Sequence, residues 1–382
     1  MLGDWSFWKE KPPPSIPRKI LEGVNSWEPD LIWVIQGVRR GGKSTLMSQW
    51  MGKLKLPPRN CFFMNFEDPR ISEFLSHELL DALVSVAELK VAAHEKIYFF
   101  FDEIQNVIHW EKWLHKQVER PGRRHFVITG SNASLLANDV ATVLTGRHRT
   151  LELFPFDYSE FRVARPGEDV EAFLSRGGFP RSLSIEKPDD LLREYYTDIL
   201  ERDVRRHVAA KNPQALYLIA KALFKSTSSE TSLRKIAALL DSTIEYVQAG
   251  IEACKAAYLV LGCPYFTYSE RKRAVRPVKY YPIDTGLHRT VCVPAGGNRG
   301  TYLETAVFLH LRRKHRQVFY WRGKGEVDFV VEDRGKLTPI QVSWDGPKAR
   351  HQEALKEFRK EFPNAAAEIY IDRANIETFL SS

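Results

Sequence analysis

The stretch Gly37-Val38-Arg39-Arg40-Gly41-Gly42-Lys43-Ser44-Thr45 matches, at every defined position, the phosphate-binding pattern GxxxxGK followed by Ser or Thr. An apolar strand is predicted before it, over residues 31–35. A helix is predicted after it, because Leu46, Met47 and Trp50 recur at helical spacing. Since a phosphate loop requires this strand-loop-helix context, the sequence predicts a nucleoside triphosphate site formed by all nine residues, with ATP as the expected ligand.

The backbone of this loop is expected to cradle the phosphates. Gly37 and Gly42 let backbone amides approach phosphate oxygens at dihedral angles that a Cβ would forbid. Lys43 is expected to reach the β and γ phosphates, and the Ser44 hydroxyl to ligate Mg²⁺, with support from Thr45. The following helix points its positive end at the same charge.

A second predicted element is an aromatic strand over residues 97–101 that ends in the carboxylates Asp102 and Glu103. Its continuous apolar run is typical of a central parallel strand buried on both faces. We expect Asp102 to hold Mg²⁺ and Glu103 to act as the catalytic base that polarises the attacking water. The alternative interpretation is an acidic N-cap of a helix, which the upstream phosphate loop disfavours.

Two further segments are candidates to contact the γ phosphate. A strand over residues 125–129 leads into Ser131 and Asn132, and we take Asn132, or else Ser131, as the sensor of the γ phosphate. Arg147 is the candidate arginine finger of a neighbouring subunit, a device worth about 10³ to 10⁵ in rate. Arg149 is its close competitor, and a solvated or salt-bridged surface arginine is the alternative interpretation.

The composition is that of a globular protein. With 382 residues, of which 43% are hydrophobic, the chain fits about two to four domains. Its four cysteines contain no CxxC pair, which argues against a zinc site or a disulfide framework and favours cytosolic thiols. No run approaches the ~20 apolar residues of a membrane helix, so we expect a cytoplasmic protein without a membrane partner. The net charge of +8 favours a polyanionic partner.

The order of the predicted elements indicates an α/β core in the first part of the chain. Strands are expected over residues 31–35, 61–66, 97–101, 125–128 and 149–153, separated by helical stretches such as 71–89. Right-handed crossovers would place them in one parallel sheet. The strand at 61–66 intervenes between the phosphate loop and Asp102, which is the arrangement of NTPases that use a catalytic glutamate.

Eight segments along the chain resemble the prokaryotic AAA+ ATPases of the STAND-like MNS clade. They are GVRRGGKSTL at Gly37, FFFDEIQ at Phe99, ITGSNASLL at Ile128, LTGRHRTLELFPFDYSEF at Leu144, GGFPR at Gly177, YYTDILERDV at Tyr195, KYYPIDTGL at Lys279 and GEVDFVV at Gly325. The resemblance implies an AAA+ core with an additional strand (1–155), a helical lid (156–208), a winged helix (209–290) and a restriction-endonuclease-like α/β domain (291–382). It also implies that Pro180, in the lid's Gly178-Phe179-Pro180, lies near the nucleotide.

Residues 211–284 are predicted to form three helices and a hairpin. The helices are expected over 215–224, over 233–240 after a Ser232 cap, and up to residue 256 after a Ser242 or Thr243 cap. Strands at 258–261 and 276–281 flank a basic tip. The DNA-binding candidates of this hairpin are Arg271, Lys272, Arg273 and Arg276. The third helix has few arginines, and a solvated charged face or a protein-interaction module is the alternative interpretation.

Residues 300–382 are predicted to form helix, three strands, helix and strand. A nuclease of the restriction-like fold needs acidic groups that hold Mg²⁺ and a lysine two residues after the second acid. Glu304 and Asp328 are in place, but Gln341 and Ser343 occupy the positions of the second acid and the lysine. We therefore predict a degenerate nuclease site without cleavage activity, in which a migrated Lys336 or Lys348 is the candidate substitute for the lysine.

These patterns together predict a Mg²⁺-dependent ATPase that couples ATP hydrolysis to binding, remodelling or translocation of duplex or branched DNA. Self-association is expected because an arginine supplied in trans would make hydrolysis depend on assembly, and a hexameric ring is one such assembly. Two alternatives stay open. One is an ATP-dependent signalling switch that acts through protein partners in defence or toxin regulation, and the other is an ATP-regulated nuclease.

Overall fold

A computed structural model of the chain describes residues 15–24, 31–55, 57–119, 122–130, 146–208, 213–292 and 298–382. The chain divides into two compact units, Met1–Leu153 and Phe154–Ser382. Among the described residues, no helix combines the length and the apolar character needed to cross a membrane.

The first unit is built on a five-stranded parallel sheet. Its strands are β1 (Ile32–Gly37), β2 (Cys61–Asn65), β3 (Ile97–Asp102), β4 (Arg124–Gly130) and β5 (His148–Leu153). They lie in the order β2-β3-β4-β1-β5 and pair in parallel, which confirms the predicted α/β class. The strand inserted between β1 and β3 is β4, however, and β2 lies at the edge. The prediction that the strand at 61–66 intervenes was based on order along the chain. Crossovers, and not chain order, decide which strands become neighbours in the sheet.

Apolar side chains cover both faces of this sheet. The helices of the unit are α1 (Lys43–Leu54), α2 (His77–Lys90) and α3 (Trp110–Val118), with 3-10 turns at Lys19–Gly23, Pro58–Asn60, Pro69–Phe74 and Ile104–Asn106. Phe99 and Phe101 of β3 enter one core cluster with Trp113, whereas Tyr98 and Phe100 enter the other with residues of α1. Burial on both faces explains the uninterrupted apolar run of β3. The helix expected over residues 71–89 is instead a 3-10 turn, a short extended link and α2.

The second unit begins with helices and a hairpin. It contains α4 (Tyr158–Ala164), α5 (Val170–Arg176), α6 (Asp189–Asp198) with a π-helical turn at Ile199–Val204, α7 (Pro213–Lys225), α8 (Leu233–Leu239) and α9 (Ile244–Ala256). The antiparallel strands β6 (Val260–Cys263) and β7 (Lys279–Pro282) follow, with α10 (Glu270–Val275) between them and α11 (Thr285–Val291) after them. Ser232 and Thr243 accept the capping hydrogen bonds predicted for α8 and α9. The basic tip of the hairpin is therefore a short helix.

The unit ends in a second sheet. Its elements are α12 (Arg299–Lys314), β8 (Phe319–Arg322), β9 (Glu326–Asp333), β10 (Lys336–Val342), α13 (Ala349–Glu361), β11 (Ile369–Ile371) and α14 (Ile376–Ser381), with further 3-10 turns of the unit at Ser182–Ser184 and Arg205–His207. The strands lie in the order β11-β10-β9-β8, with β10 and β11 parallel and the other pairs antiparallel. The predicted series of helix, three strands, helix and strand is present, with a final helix added.

Candidate active site

The carboxyl ends of β1, β3 and β4 bring together side chains from three distant parts of the chain. Lys43 and Ser44 begin α1, while Asp102 is the last residue of β3. The Ser44 Oγ donates a hydrogen bond of 2.6 Å to Asp102 Oδ2, and the Lys43 Nζ lies 3.9 Å from Glu103 Oε1. Four of the residues singled out in the sequence thus share one site at this edge of the sheet.

Lys43 lies inside the loop that precedes α1. Its buried ammonium donates to the carbonyl oxygens of Gly37 and Val38 at 3.1 and 3.3 Å. Both acceptors belong to the loop itself, so the loop backbone curls around this cation. Phosphate oxygens bound in the loop would meet a charge that is already in position.

Thr129, which the sequence analysis did not single out, connects the two carboxylate residues. Its buried hydroxyl donates to Asp102 Oδ1 at 2.5 Å and accepts from the backbone N–H of Glu103 at 2.9 Å. The sequence feature that could have indicated Thr129 was its position near the carboxyl end of β4, the strand that precedes the predicted sensor. Chain order does not show that β4 is the neighbour of β3, so the contact was not predictable.

Glu103 is held in a sharply turned backbone. Its φ is +55°, in the left-handed region that costs a residue with a Cβ energy. The Thr129 bond and a 2.5 Å hydrogen bond from Gln105 Nε2 to the Glu103 carboxylate keep this conformation in place. The turn directs the chain away from β3 immediately after the buried Asp102.

The electrostatics of the carboxylate pair suit a divalent cation. Burial, assisted by the neighbouring charge of Glu103, raises the pKa of Asp102, while hydrogen bonds from Ser44 and Thr129 and the charge of Lys43 oppose the rise. A cation beside this carboxylate would relieve the cost of its burial. The Asp102 carboxylate and the Ser44 hydroxyl are hard oxygen donors of the kind that Mg²⁺ prefers, so the residues fit this metal.

The other residues of the loop have distinct surroundings. Gly37 has a φ of +154°, and a Cβ there would lie 2.1 Å from the carbonyl oxygen of Leu153 in β5. Close packing of β1 on β5 therefore requires this glycine, in addition to the phosphate argument. Arg39 is buried and pairs with Glu67 at 3.5 Å, Val38 is buried, and Arg40 and Thr45 are exposed.

The structure describes the candidate arginine fingers but not the candidate sensors. Ser131 and Asn132 lie outside the described residues. Arg147 is exposed and its carbonyl oxygen accepts from Ile32 N at 3.0 Å. The Arg149 guanidinium lies 5.7 Å from the ring of Trp33 in the same chain, a cation–π contact. Both finger assignments stay predictions.

Family comparison agrees with this geometry. Residues 30–162 match the family model of an AAA domain. This part of the chain is therefore similar to AAA domains. Residues 167–294 and 299–379 match two domains of unknown function, DUF8612 and DUF4143. The AAA domain supports the predicted class of nucleotide-binding ATPase.

Two curated relatives span most of the chain. An uncharacterized protein of Methanocaldococcus jannaschii is 29% identical in an alignment of length 377 that covers 91% of this chain and 82% of the relative. An uncharacterized protein of Haemophilus influenzae is 26% identical in an alignment of length 342 that covers 85% of each chain. The similarity therefore includes all three matched domains.

Among solved structures, similarity is weak. The AMPPCP-bound DnaA of Aquifex aeolicus has a TM-score of 0.29 and 14% identity, with 62% of this chain and 85% of that chain covered. Cdc6p of Pyrobaculum aerophilum has a TM-score of 0.30 and 11% identity, with 73% and 95% covered. At TM-scores this low, the similarity establishes neither the fold nor the function of the present protein.

The GGFPR segment around Pro180, which the resemblance assigns to a lid, is held by hydrogen bonds within the second unit. The buried Asp284, before α11, accepts hydrogen bonds from the N–H of Gly178 at 2.6 Å and of Leu287 at 2.8 Å. A Cβ on Gly177 would lie 2.1 Å from Asp284 Oδ1, so the GGFPR and DTG motifs meet at atomic contact. Pro180 follows this contact and is partly buried, and its approach to a nucleotide stays a prediction.

The four DNA-binding candidates of the hairpin fall into two pairs. Arg271 and Lys272 are exposed on α10. Arg273 donates to Glu270 at 3.0 Å and to the Thr267 carbonyl at 2.6 Å, and lies 5.1 Å from the ring of Phe319. Arg276 lies 4.7 Å from the ring of Tyr265. The second pair is thus occupied by contacts within the chain.

The predicted degenerate nuclease residues lie in a buried polar cluster. Gln341 Nε2 donates to Asp328 Oδ2 at 2.5 Å, and the Tyr281 hydroxyl donates to Glu304 Oε1 at 2.7 Å. Burial raises the pKa of both Glu304 and Asp328, whereas the positive charge of Lys279 lowers it.

The cation of this cluster is Lys279, a residue that the sequence analysis missed. Lys279 comes from β7, is 0% exposed, and its Nζ lies 2.5 Å from Glu326 Oε1. Lys348 pairs instead with Asp345 at 3.8 Å, and Lys336 starts β10 opposite Asp333. Lys279 precedes the carboxylates by dozens of positions and belongs to another predicted domain, so spacing could not reveal it.

Proposed function

We propose that the protein is a Mg²⁺-dependent ATPase that hydrolyses ATP at the carboxyl edge of the AAA sheet. The observation that carries this proposal is the 2.6 Å hydrogen bond between Ser44 and the buried Asp102, beside Lys43 and Glu103. A hydroxyl, a carboxylate, an ammonium and a second carboxylate are the groups that phosphoryl transfer to water requires.

In this proposal each side chain has one task. Lys43 binds the β and γ phosphates, and Ser44 and Asp102 hold Mg²⁺, which offsets the phosphate charge. Glu103 accepts a proton from the attacking water. Thr129 orients the Asp102 carboxylate and the backbone of Glu103. Asn132 senses the γ phosphate, and Arg147, or Arg149 in its place, enters the site of a neighbouring subunit.

The test separates binding from hydrolysis. Lys43→Ala is expected to abolish ATP binding, measured by calorimetry in magnesium buffer. Glu103→Gln is expected to bind ATP and to lose about 10²- to 10⁴-fold in turnover, the usual contribution of a general base. Glu111→Gln, on α3 away from the loop, is the matched control. Normal turnover by Glu103→Gln would remove the assignment of the catalytic base, and absence of ATP binding by the natural protein would remove the whole proposal.

We further infer that hydrolysis is coupled to binding, remodelling or translocation of duplex or branched DNA by an oligomer. The net charge of +8 and the exposed Arg271 and Lys272 support this inference. The test is the ATPase rate with duplex, single-stranded and four-way junction DNA at two salt concentrations. Stimulation that weakens with salt and with the double variant Arg271→Ala/Lys272→Ala is expected. A rate that no DNA changes would refute the coupling.

One structural feature favours the second candidate function, a nucleotide-dependent switch that acts through protein partners. Asp284 joins the lid motif to the start of α11, and Arg289 of α11 donates to Asp189 of α6 at 3.0 Å and to the Ser175 carbonyl at 2.9 Å. These contacts join the proposed lid to the segment 284–289, which directly follows β7. A displaced lid would therefore move this segment, and the hairpin before it, with it. Slow turnover with tightly retained ADP would distinguish the switch from the motor.

We propose that the C-terminal domain does not cleave nucleic acid. The burial of Asp328 and the ammonium of Lys279 beside the carboxylates support this statement. Divalent-dependent cutting that disappears in Asp328→Ala would contradict it.

A further inference from the structure

The segment before the AAA sheet is bound to α1 by side chains of that helix. Gln49 accepts from the N–H of Arg18 at 3.1 Å and donates to the carbonyl of Ile16 at 2.7 Å. Lys53, one turn further along, donates to the carbonyl of Leu21 at 2.5 Å. Leu21 is buried in the core cluster that includes α1. We call residues 15–24 the strap.

Arg18 connects the strap to the phosphate loop. Its guanidinium is buried, with the residue 7% exposed, and Nη1 donates to the carbonyl oxygen of Gly41 at 3.2 Å. A guanidinium is cationic and carries five N–H donors. The contact therefore places a positive charge and a hydrogen-bond donor against the backbone of the loop.

Because the peptide bond is planar, the contact at the Gly41 carbonyl also fixes the orientation of the Gly42 amide. The carbonyl of Gly41 and the N–H of Gly42 belong to one planar trans peptide and point in opposite directions. Holding the carbonyl toward Arg18 consequently holds the Gly42 N–H toward the opposite side.

This peptide is easier to rotate than most. Rotation changes ψ of Gly41 and φ of Gly42, and glycine tolerates values that other residues resist. Gly42 already adopts φ 97° and ψ 26°, in the left-handed region. A partner that holds one orientation is therefore more important here than at a peptide between larger residues.

We propose that Arg18 is a positioning residue that presets the Gly42 amide for the oxygens of a polyphosphate. It acts through Gly41 and does not touch the nucleotide. The inference rests on the proposed ATP site and deepens it, since it assigns to the strap the recognition of the phosphate chain and not of the base.

The test measures binding of three probes by calorimetry in magnesium buffer: inorganic tripolyphosphate, ATP and adenosine. Arg18→Ala is expected to weaken tripolyphosphate and ATP by the same factor of about tenfold, the effect of losing one hydrogen bond from a charged donor, and to leave adenosine unchanged. Arg18→Lys is expected to recover part of the loss, because an ammonium can still donate to Gly41. Lys19→Ala, which removes a neighbouring exposed charge, is the matched control and is expected to bind like the natural protein.

Kinetics provide a second measurement. Since the preset amide contributes equally to the bound substrate and the transition state, KM for ATP should rise about tenfold in Arg18→Ala, while kcat stays within about twofold. A variant that was merely loosened would lose kcat and thermal stability together.

Three results would overturn the inference. They are normal tripolyphosphate affinity in Arg18→Ala, a loss that also appears for adenosine, and a loss equal to that of Lys19→Ala. If Arg18→Ala does not fold, Gln49→Ala loosens the strap around Arg18 while it keeps the arginine. This variant should show a smaller loss of the same phosphate-specific kind, and no loss would also overturn the inference. If the natural protein binds neither ATP nor tripolyphosphate, the proposed function fails, and this inference fails with it.

Discussion

Replacement of Lys279 by methionine is expected to destabilise the second unit strongly. Lys279 is 0% exposed and lies 2.5 Å from Glu326 Oε1, with Glu304 and Asp328 as further charged neighbours. Burial by itself disfavours the ammonium, but the three carboxylates raise the pKa of Lys279 above its ordinary value. Methionine keeps the length and removes the charge, so Glu326, Glu304 and Asp328 lose their cation.

The magnitude follows from burial. Removing one partner of a buried ion pair costs about 3–5 kcal/mol, because the remaining charge is left uncompensated. Glu326 keeps 29% of its side chain exposed, so water screens part of the loss and the lower end, about 3 kcal/mol, is the expected value. For a unit of this size each kcal/mol lowers Tm by about 2–4 °C, which gives a drop of roughly 6–12 °C at pH 8.

The loss should shrink as pH falls. Burial already raises the pKa of Glu304 and Asp328, and without Lys279 both values rise further because its charge lowers them. Carboxyls with raised pKa bind protons more tightly in the folded state, so the folded variant is penalised most where they are ionised, at high pH. Protonation at lower pH removes the uncompensated charge.

The assay is thermal and urea unfolding at pH 5, 6, 7 and 8, compared with Lys336→Met, which removes an exposed lysine of β10. The double variant Lys279→Met/Glu326→Gln should recover part of the stability at pH 8. Equal loss at all four pH values, or a Tm at pH 8 within 2 °C of the control, would refute the reasoning, as roughly 1 kcal/mol or less would then be at stake.

Three further predictions concern single contacts. Thr129→Val removes the hydroxyl that bridges Asp102 and Glu103, so kcat should fall about tenfold to a hundredfold with KM little changed, and unchanged turnover would contradict this. Gly37→Ala places a Cβ 2.1 Å from a backbone oxygen, so unfolding of the first unit should become easier by about 1–3 kcal/mol, whereas Gly52→Ala, with open space around it, should not lower stability. Burial raises the pKa of Asp284 from 3.8 to about 6, so the folded form loses stability as pH rises through that window; urea unfolding of Asp284→Asn should lack this pH dependence.

Much of the local structure was predictable in both units because its signals act between near neighbours in the chain. The strand that leads to Asp102 and Glu103 was predicted over residues 97–101 from its apolar run, and the observed strand ends one residue later, at Asp102. The caps at Ser232 and Thr243 were predictable because each accepts a hydrogen bond from a residue three positions ahead. Interactions over so short a distance depend on the sequence of a single turn.

The sequence by itself determined the phosphate loop, the acidic pair, the period of the strands and the α/β class. The tertiary structure decided that β4 separates β1 from β3 and that Thr129 therefore reaches the Asp102 carboxylate and the Glu103 backbone. It also decided that Arg18 holds the Gly41 carbonyl and that Lys279 supplies the cation of the C-terminal cluster. The physical reason is that hydrogen-bonding period and turn chemistry act between near neighbours in the chain. Which distant side chains meet depends instead on how crossovers and packing close the core.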